Sequence, residues 1–221
     1  MENGKNAKET AERGKWALIL TGGECHTDDL LRNIGLPKEP LIIAVDSGYL
    51  KAAPLGVAPH ILVGDFDSIP EDAMPGEGEV PEIIKAPCEK DETDTMLACE
   101  IAIERGCTSI CIVGGFGGRC DHELSNIFWL ENLKDRGVDA HMTDGVNRLS
   151  IVRDTTVVRT NPMKYFSLFA LDRCVVTLSG CKYPLDGAEL RRNLPYAVSN
   201  EITEDKAVIT VEGTAFVCDI Y

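Results

Sequence analysis

The apolar positions of the chain fall into two regimes. In the first two thirds they form short continuous runs, at 16–20, 41–45, 61–63, 83–84 and 110–113, each bounded by turn residues. Runs of that length without alternation read as strands buried on both faces of a parallel sheet. Between them, residues 91–105 carry Met96, Leu97, Ile101 and Ile103, with Gly106 placed to end a helix. Residues 121–136 carry Leu124, Ile127, Phe128, Leu130 and Leu133 at helical spacing, with Gly137 as the stop. Alternating strands and helices predict an open α/β sheet.

The rhythm changes near residue 145. Short strand-like runs follow at 149–152, 165–171, 175–178, 207–211 and 215–218, separated by Asn161-Pro162, Ser179-Gly180 and Glu212-Gly213. Only residues 185–190 read as a short helix. Strands at this spacing predict an all-β sandwich or barrel. The expected organisation is therefore a polar, disordered tail over 1–15, an α/β domain over 16–145 and a β-domain over 146–221. Without a repeat or low-complexity linker between them, the two parts are expected to pack tightly.

Composition narrows the classes. With 44% hydrophobic and 26% charged residues the 221-residue chain is of ordinary globular character. A formal net charge of −14 repels nucleic acid and anionic membrane, so neither is expected as a partner. No apolar run reaches the roughly 20 residues needed to span a bilayer. Nine cysteines, an odd number with no CxxC pair and several inside apolar runs, predict reduced thiols and a cytoplasmic protein. The four histidines show no zinc-ligand spacing with them.

Candidate chemistry lies where the strand runs end. The run at 41–45 leads into Asp46-Ser47-Gly48, that at 61–63 into Gly64-Asp65-Phe66-Asp67-Ser68, and that at 110–113 into Gly114-Gly115-Phe116-Gly117-Gly118-Arg119-Cys120-Asp121-His122. Ligands of open α/β sheets bind outside the carboxyl ends of the strands, so three strands deliver acidic groups to one edge. Clustered carboxylates repel unless a cation neutralises them, and hard oxygen donors favour Mg²⁺ completed by substrate phosphates. Asp65 and Asp67 would share a side in an extended segment; alternatively 65–68 form an Asx turn. Asp91-Glu92-Thr93-Asp94 opens a helix, where acidic caps are ordinary. The glycine-rich stretch lacks the Gly-Lys-Ser/Thr of a P-loop and the dinucleotide fingerprint, but Arg119 adds a guanidinium suited to phosphate oxygens.

At these residues the chain resembles the thiamin pyrophosphokinase family. The stretches 64–68, 91–94 and 114–122, followed by Leu124 and Asn126, match that family's motifs in order and spacing. Tyr183-Pro184-Leu185-Asp186 and Val198-Ser199-Asn200-Glu201 match its C-terminal motifs. The resemblance runs from about residue 16 to the end. It implies transfer of the diphosphate of ATP to the hydroxyl of thiamine, giving thiamine diphosphate and AMP, in a homodimer that binds thiamine at the subunit interface. It also implies roles for residues. Asp65, Asp67 and Asp94 would be metal ligands and, with Arg119 and Asp121, the catalytic set. Asp46, Gly64, Asp91, Thr93, Gly117, Gly118 and His122 would bind the nucleotide, and Leu185, Ser199 and Asn200 thiamine. The hydroxyl proton would pass to Asp94 or Asp121, with His122 the remaining candidate.

One departure stands out: the family's usual Ala-Asp-Gly-Gly-Ala is here Val45-Asp46-Ser47-Gly48-Tyr49. Nor is there a tryptophan late in the chain to stack on the thiamine ring; Trp16 and Trp129 fit core positions. Two other readings remain: the same site acting on another small alcohol such as a pterin, or a nucleotide- or thiamine-binding module without turnover.

Overall fold

The computed structural model describes residues 14–26, 30–86, 92–160 and 163–221, with the side chains of 32 and 33 excepted. Asp91 and the tail over 1–13 lie outside these residues. The elements are β1 (Lys15–Leu20), α1 (Leu30–Ile34), β2 (Leu41–Val45), β3 (Ile61–Gly64), β4 (Glu82–Lys85), α2 (Asp94–Glu104), β5 (Cys107–Val113), α3 (Cys120–Asp135), β6 (Asp139–Thr143), β7 (Asn147–Arg159), β8 (Tyr165–Ser179), β9 (Leu185–Arg191) and β10 (Ala207–Ile220). The hydrogen-bonded order is β4-β3-β2-β1-β5-β6-β7-β10-β8-β9. Strands β1 to β6 pair in parallel, β7 to β10 antiparallel, and the junction is the antiparallel β6–β7 pair.

The parallel strands bury both faces, as their continuous apolar runs require. On one face Ala17, Ile19, Ile43, Ile110 and Ile112 pack under α2 and α3. On the other Leu18, Leu20, Ile42, Cys111 and Val113 pack under α1. Trp16 and Trp129 lie against these two cores, as expected. β4 departs from the expectation of burial on both faces: it is the sheet edge, and its Ile83 is 49% exposed. Helices α2 and α3 both end on a left-handed glycine, Gly106 (φ 80) and Gly137 (φ 75), whose N–H groups bond Ile103 O and Lys134 O.

The antiparallel part curls back on itself. Tyr165, at the start of β8, lies opposite Ile220 in β10, which lies opposite Asn147 at the start of β7. Residues 160–164 alone join the end of β7 to Tyr165, and they can reach at most roughly 20 Å. A straight 13-residue strand would run about 40 Å. The far end of β7 therefore returns near its beginning. The bend falls where β10 shifts register against both partners, between Val211 and Ala215. There Gly213 (φ 99) and Asp154 (φ 42) take left-handed conformations, and Asp154 Oδ1 accepts a hydrogen bond from Gly213 N at 2.7 Å. Arg159, at the end of β7, then reaches the fully buried Asp219 at 2.9 Å and ties the roll shut. Phe166, Leu168, Val176, Ile209 and Val217 fill its interior.

Two local expectations change. Residues 185–190 form part of strand β9, because Leu185 and Leu190 pair with Leu178 and Cys174 of β8 rather than share a helix face. The helix expected to begin at Asp91 begins at Asp94, capped by Thr93, whose Oγ1 accepts from Met96 N at 3.2 Å.

Candidate active site

The strand order reverses between β1 and β5, β2 lying on one side of β1 and β5 on the other. That switch point is where an α/β sheet leaves a crevice at its carboxyl edge. A cleft of about 560 Å³ opens there, and four aspartates, Asp46, Asp65, Asp67 and Asp94, line it, with Thr93, Gly117, Gly118, Arg119 and His122 also on its walls. The sequence singled out all of these. Ser68, Gly115 and Asn126, which the family motifs include without an assigned role, line the cleft as well, and so do Thr21, Gly22 and Gly23 after β1 and Glu123, which the sequence does not single out. The signal for Thr21, Gly22 and Gly23 was present: a Thr-Gly-Gly turn directly after an apolar run.

Asp46 follows β2 in a left-handed conformation (φ 45) and opens a 3-10 turn, Asp46–Lys51. Its Oδ1 accepts a hydrogen bond from Phe66 N at 3.1 Å, tying the end of β2 to the turn after β3. Gly64 does not line the cleft. It serves Asp46: a Cβ there would overlap the Asp46 carboxylate. In the turn itself Phe66 is left-handed (φ 69) and Asp65 Oδ1 accepts from Asp67 N at 3.1 Å. The Asx-turn alternative is thus the geometry present, and it sets both carboxylates on the cleft. Ser47 N donates to Ser68 Oγ at 3.1 Å, so the departure at position 47 keeps the turn joined to 65–68. Gly48 stays a glycine because a side chain would strike the backbone at Leu20.

The glycine-rich loop is held from two sides. Gly23 N and Glu24 N donate to Gly114 O (2.8 Å) and Phe116 O (2.7 Å), and Thr21 Oγ1 also donates to Gly114 O. From α3, the buried Asn126 donates through Nδ2 to Gly115 O at 3.2 Å. Arg119 precedes α3, and its guanidinium is forked onto Asp121 (3.1 and 2.6 Å), both side chains being exposed. Asp121 itself is not on the cleft wall. Its bond with Arg119 holds its carboxyl down at about 2.

Burial pushes the Asp46 carboxyl up to about 6, against the Phe66 N–H and with the help of the charges on Asp94, Asp65 and Asp67. Four carboxylates thus share one field. Among the described residues no three His, Cys, Asp or Glu side chains are gathered into a metal cage. That donor set still suits Mg²⁺, which takes one or two carboxylates and leaves its other positions to water and phosphate.

A second cavity, about 410 Å³, lies on the roll and is lined by Leu178, Tyr183, Leu185, Tyr196, Val198 and Asn200 among others. Leu185 and Asn200 are there as expected. Asn200, however, uses its amide on Tyr183, accepting from its N at 3.0 Å and donating to its O at 2.8 Å. Ser199 is left-handed (φ 56), and its N donates to Ser167 Oγ at 3.0 Å. Its side chain is not on the cavity wall.

No helix among the described residues is long and apolar enough to cross a membrane. The family profile described as thiamin pyrophosphokinase, catalytic domain, matches residues 35–142, and that described as thiamin pyrophosphokinase, vitamin B1 binding domain, matches 154–217. Thiamine pyrophosphokinase of Bacillus subtilis (strain 168) is 30% identical over 175 residues, 77% of this chain and 82% of that protein. The crystal structure of thiamine pyrophosphokinase from Bacillus subtilis superposes with a TM-score of 0.83 at 25% identity, covering 93% of this chain and 99% of the other. That from Geobacillus thermodenitrificans gives 0.79 at 26% identity, over 93% and 97%. With both halves matched in order and the fold shared nearly end to end, the chain belongs to the thiamin pyrophosphokinase family.

Proposed function

We propose that the cleft between β1 and β5 binds ATP with Mg²⁺ and passes its diphosphate to the hydroxyl of thiamine. Thiamine diphosphokinase activity follows from the family. The metal, the nucleotide and the residue roles are our reading. The observation that carries it is the convergence of Asp46, Asp65, Asp67 and Asp94 with the glycine-rich loop and Arg119 around one crevice.

In this reading Asp65 and Asp67 would hold Mg²⁺, which when bound would neutralise phosphate charge and orient the phosphate oxygens, and Asp94 beside them serves the proton rather than the metal. The backbone of Gly117 and Gly118 lets the phosphates approach closely, and Asn126 and Thr21 keep that loop in place. Arg119 exchanges Asp121 for a phosphate oxygen, a stronger partner for its fork. The thiamine oxygen attacks the β-phosphorus, the bond from that phosphorus to the α–β bridging oxygen breaks, and AMP leaves. The hydroxyl proton goes to Asp94. Asp121, off the cleft wall, is the more poorly placed base.

Tyr183 and Tyr196 in the roll cavity supply the aromatic faces for thiamine that no late tryptophan provides. Leu185 adds apolar contact, Asn200 acts by fixing Tyr183, and Ser199 shapes the adjoining turn. We place the working enzyme in the cytoplasm as a homodimer, which would also cover the exposed Phe128, Leu194 and Val198.

Asp67→Asn tests the metal assignment. Turnover should fall by at least about a hundredfold, the scale of a lost charge-stabilising group, with thermal unfolding unchanged and a higher Mg²⁺ requirement. Near-native turnover at the same Mg²⁺ concentration would remove Asp67 from the metal set.

A further inference from the structure

The outer face of the β8–β9 hairpin carries charge that neither the fold nor the proposed reaction uses. In this hairpin Leu190 and Cys174 face the interior of the roll. Their neighbours Arg191 and Arg173 stand opposite each other across the strands. Like charges in directly opposed positions destabilise a sheet pair, so the fold alone gives no reason for the pairing. Glu189 answers it in part. Its carboxylate is gripped by Arg191 Nε at 2.5 Å and Arg173 Nε at 3.0 Å, and the Arg191 bond, foremost, lowers its pKa.

Each guanidinium thereby gives up one N–H edge. The Nη edges of Arg173 and Arg191, the part of the fork that meets an oxyanion with two parallel bonds, have no protein partner among the described residues. Arg192, the next residue, has its backbone N on Asp172 O at 2.9 Å, and its side chain forms no ion pair among the described residues. These three arginines, with Asp172 and Asn193, line a concavity of about 440 Å³. In a chain of net charge −14, three guanidiniums and one carboxylate around the hollow, with Glu189 bonded to two of the three, are a local reversal of sign.

We infer that this hollow is a binding site for a phosphate-bearing small anion, a diphosphate or triphosphate group, built from Arg173, Arg191 and Arg192. It shares no residue with the carboxylate cleft. Glu189 is its positioning residue: it fixes two guanidiniums side by side at a spacing that separate phosphoryl groups can span. Three short-range donors recognise a compact polyanion, whereas a nucleic acid meets the repulsion of the whole acidic surface.

The test is calorimetric titration of the full chain with inorganic pyrophosphate, orthophosphate, ATP and AMP in EDTA. Without metal, the carboxylate cleft repels these anions. Pyrophosphate should bind at one site per chain, ATP should compete with it, and AMP and orthophosphate should bind more weakly. Arg173→Gln/Arg192→Gln should weaken pyrophosphate binding by at least about tenfold, the loss expected for charge-assisted hydrogen bonds. Arg119→Ala in the cleft should leave it unchanged. Arg192→Gln alone, whose side chain makes no ion pair, repeats the test should the double variant melt early. The proposal is overturned if the wild-type chain binds no pyrophosphate, if the double variant binds it as tightly, or if only ATP binds and pyrophosphate does not displace it.

Discussion

Replacing Gly64 by alanine probes the link between the two acidic turns. The residue sits at φ 147, where a side chain costs about 1–3 kcal/mol. A Cβ would also occupy the place of the Asp46 carboxylate. To make room Asp46 must swing away, giving up its bond from Phe66 N, and a lost hydrogen bond to a charged group costs roughly 1.5–3 kcal/mol. Together these destabilise the chain by about 3–5 kcal/mol, which at 2–4 °C per kcal/mol for this size lowers the melting temperature by about 10 °C. Because that bond also shapes 65–67, the turn carrying both carboxylates should loosen and turnover should fall well beyond the loss of folded protein. The assay pairs a thermal melt with AMP release at a temperature where the variant is fully folded. A Gly64→Ala chain that melts within about 2 °C of the parent and turns over normally would refute the reasoning, since 2 °C is less than 1 kcal/mol at this size.

Two further outcomes follow from buried charge. His141 is buried beside Trp16 at 6.1 Å between ring centroids, and burial, foremost, lowers its pKa from 6.5 to about 3. Its folded pKa lies below its unfolded value, so its neutral form is favoured in both states above pH 6.5. Between about 6.5 and 3 only the unfolded chain takes the proton, and stability falls as pH falls, by at most about 1.4 kcal/mol per pH unit. His141→Phe should flatten that limb in denaturant titrations between pH 7 and 5; an unchanged slope would assign the acid lability elsewhere. Asp219→Asn leaves Arg159 facing a neutral group at the closure of the roll and should cost about 3 kcal/mol in urea unfolding. Adding Arg159→Met should restore much of that, whereas equal loss in the double variant would mean the ion pair does not close the roll.

Much of this was legible in the sequence because it rested on local pattern. The runs at 41–45 and 110–113 could only be buried strands, and the acidic residues after them had to meet at one edge. What stayed hidden depended on partners far along the chain. β6 (Asp139–Thr143) contains polar His141 and Thr143 and reads as nothing in particular, yet it is buried by β5 and β7. Leu185 and Leu190 suggested a helix until Leu178 and Cys174 claimed them for a sheet. The four acidic residues were found because charge next to a strand end is conspicuous. Thr21 carries no such signal, because its work is a hydrogen bond to the carbonyl of a loop 93 residues away; Asn126 enters through the family motif alone, because its work is a bond to a carbonyl eleven residues back. Arg119 and Asp121 were seen as two site residues, whereas the structure sets them as partners of each other.

The most direct test of the central claim is the nucleotide product formed from ATP by the purified chain. With thiamine and Mg²⁺ both present, AMP should appear in step with thiamine diphosphate, and omitting either should stop it. Formation of ADP in place of AMP would mean that a single phosphoryl group moves, and AMP release indifferent to thiamine would mean that the acceptor is something else.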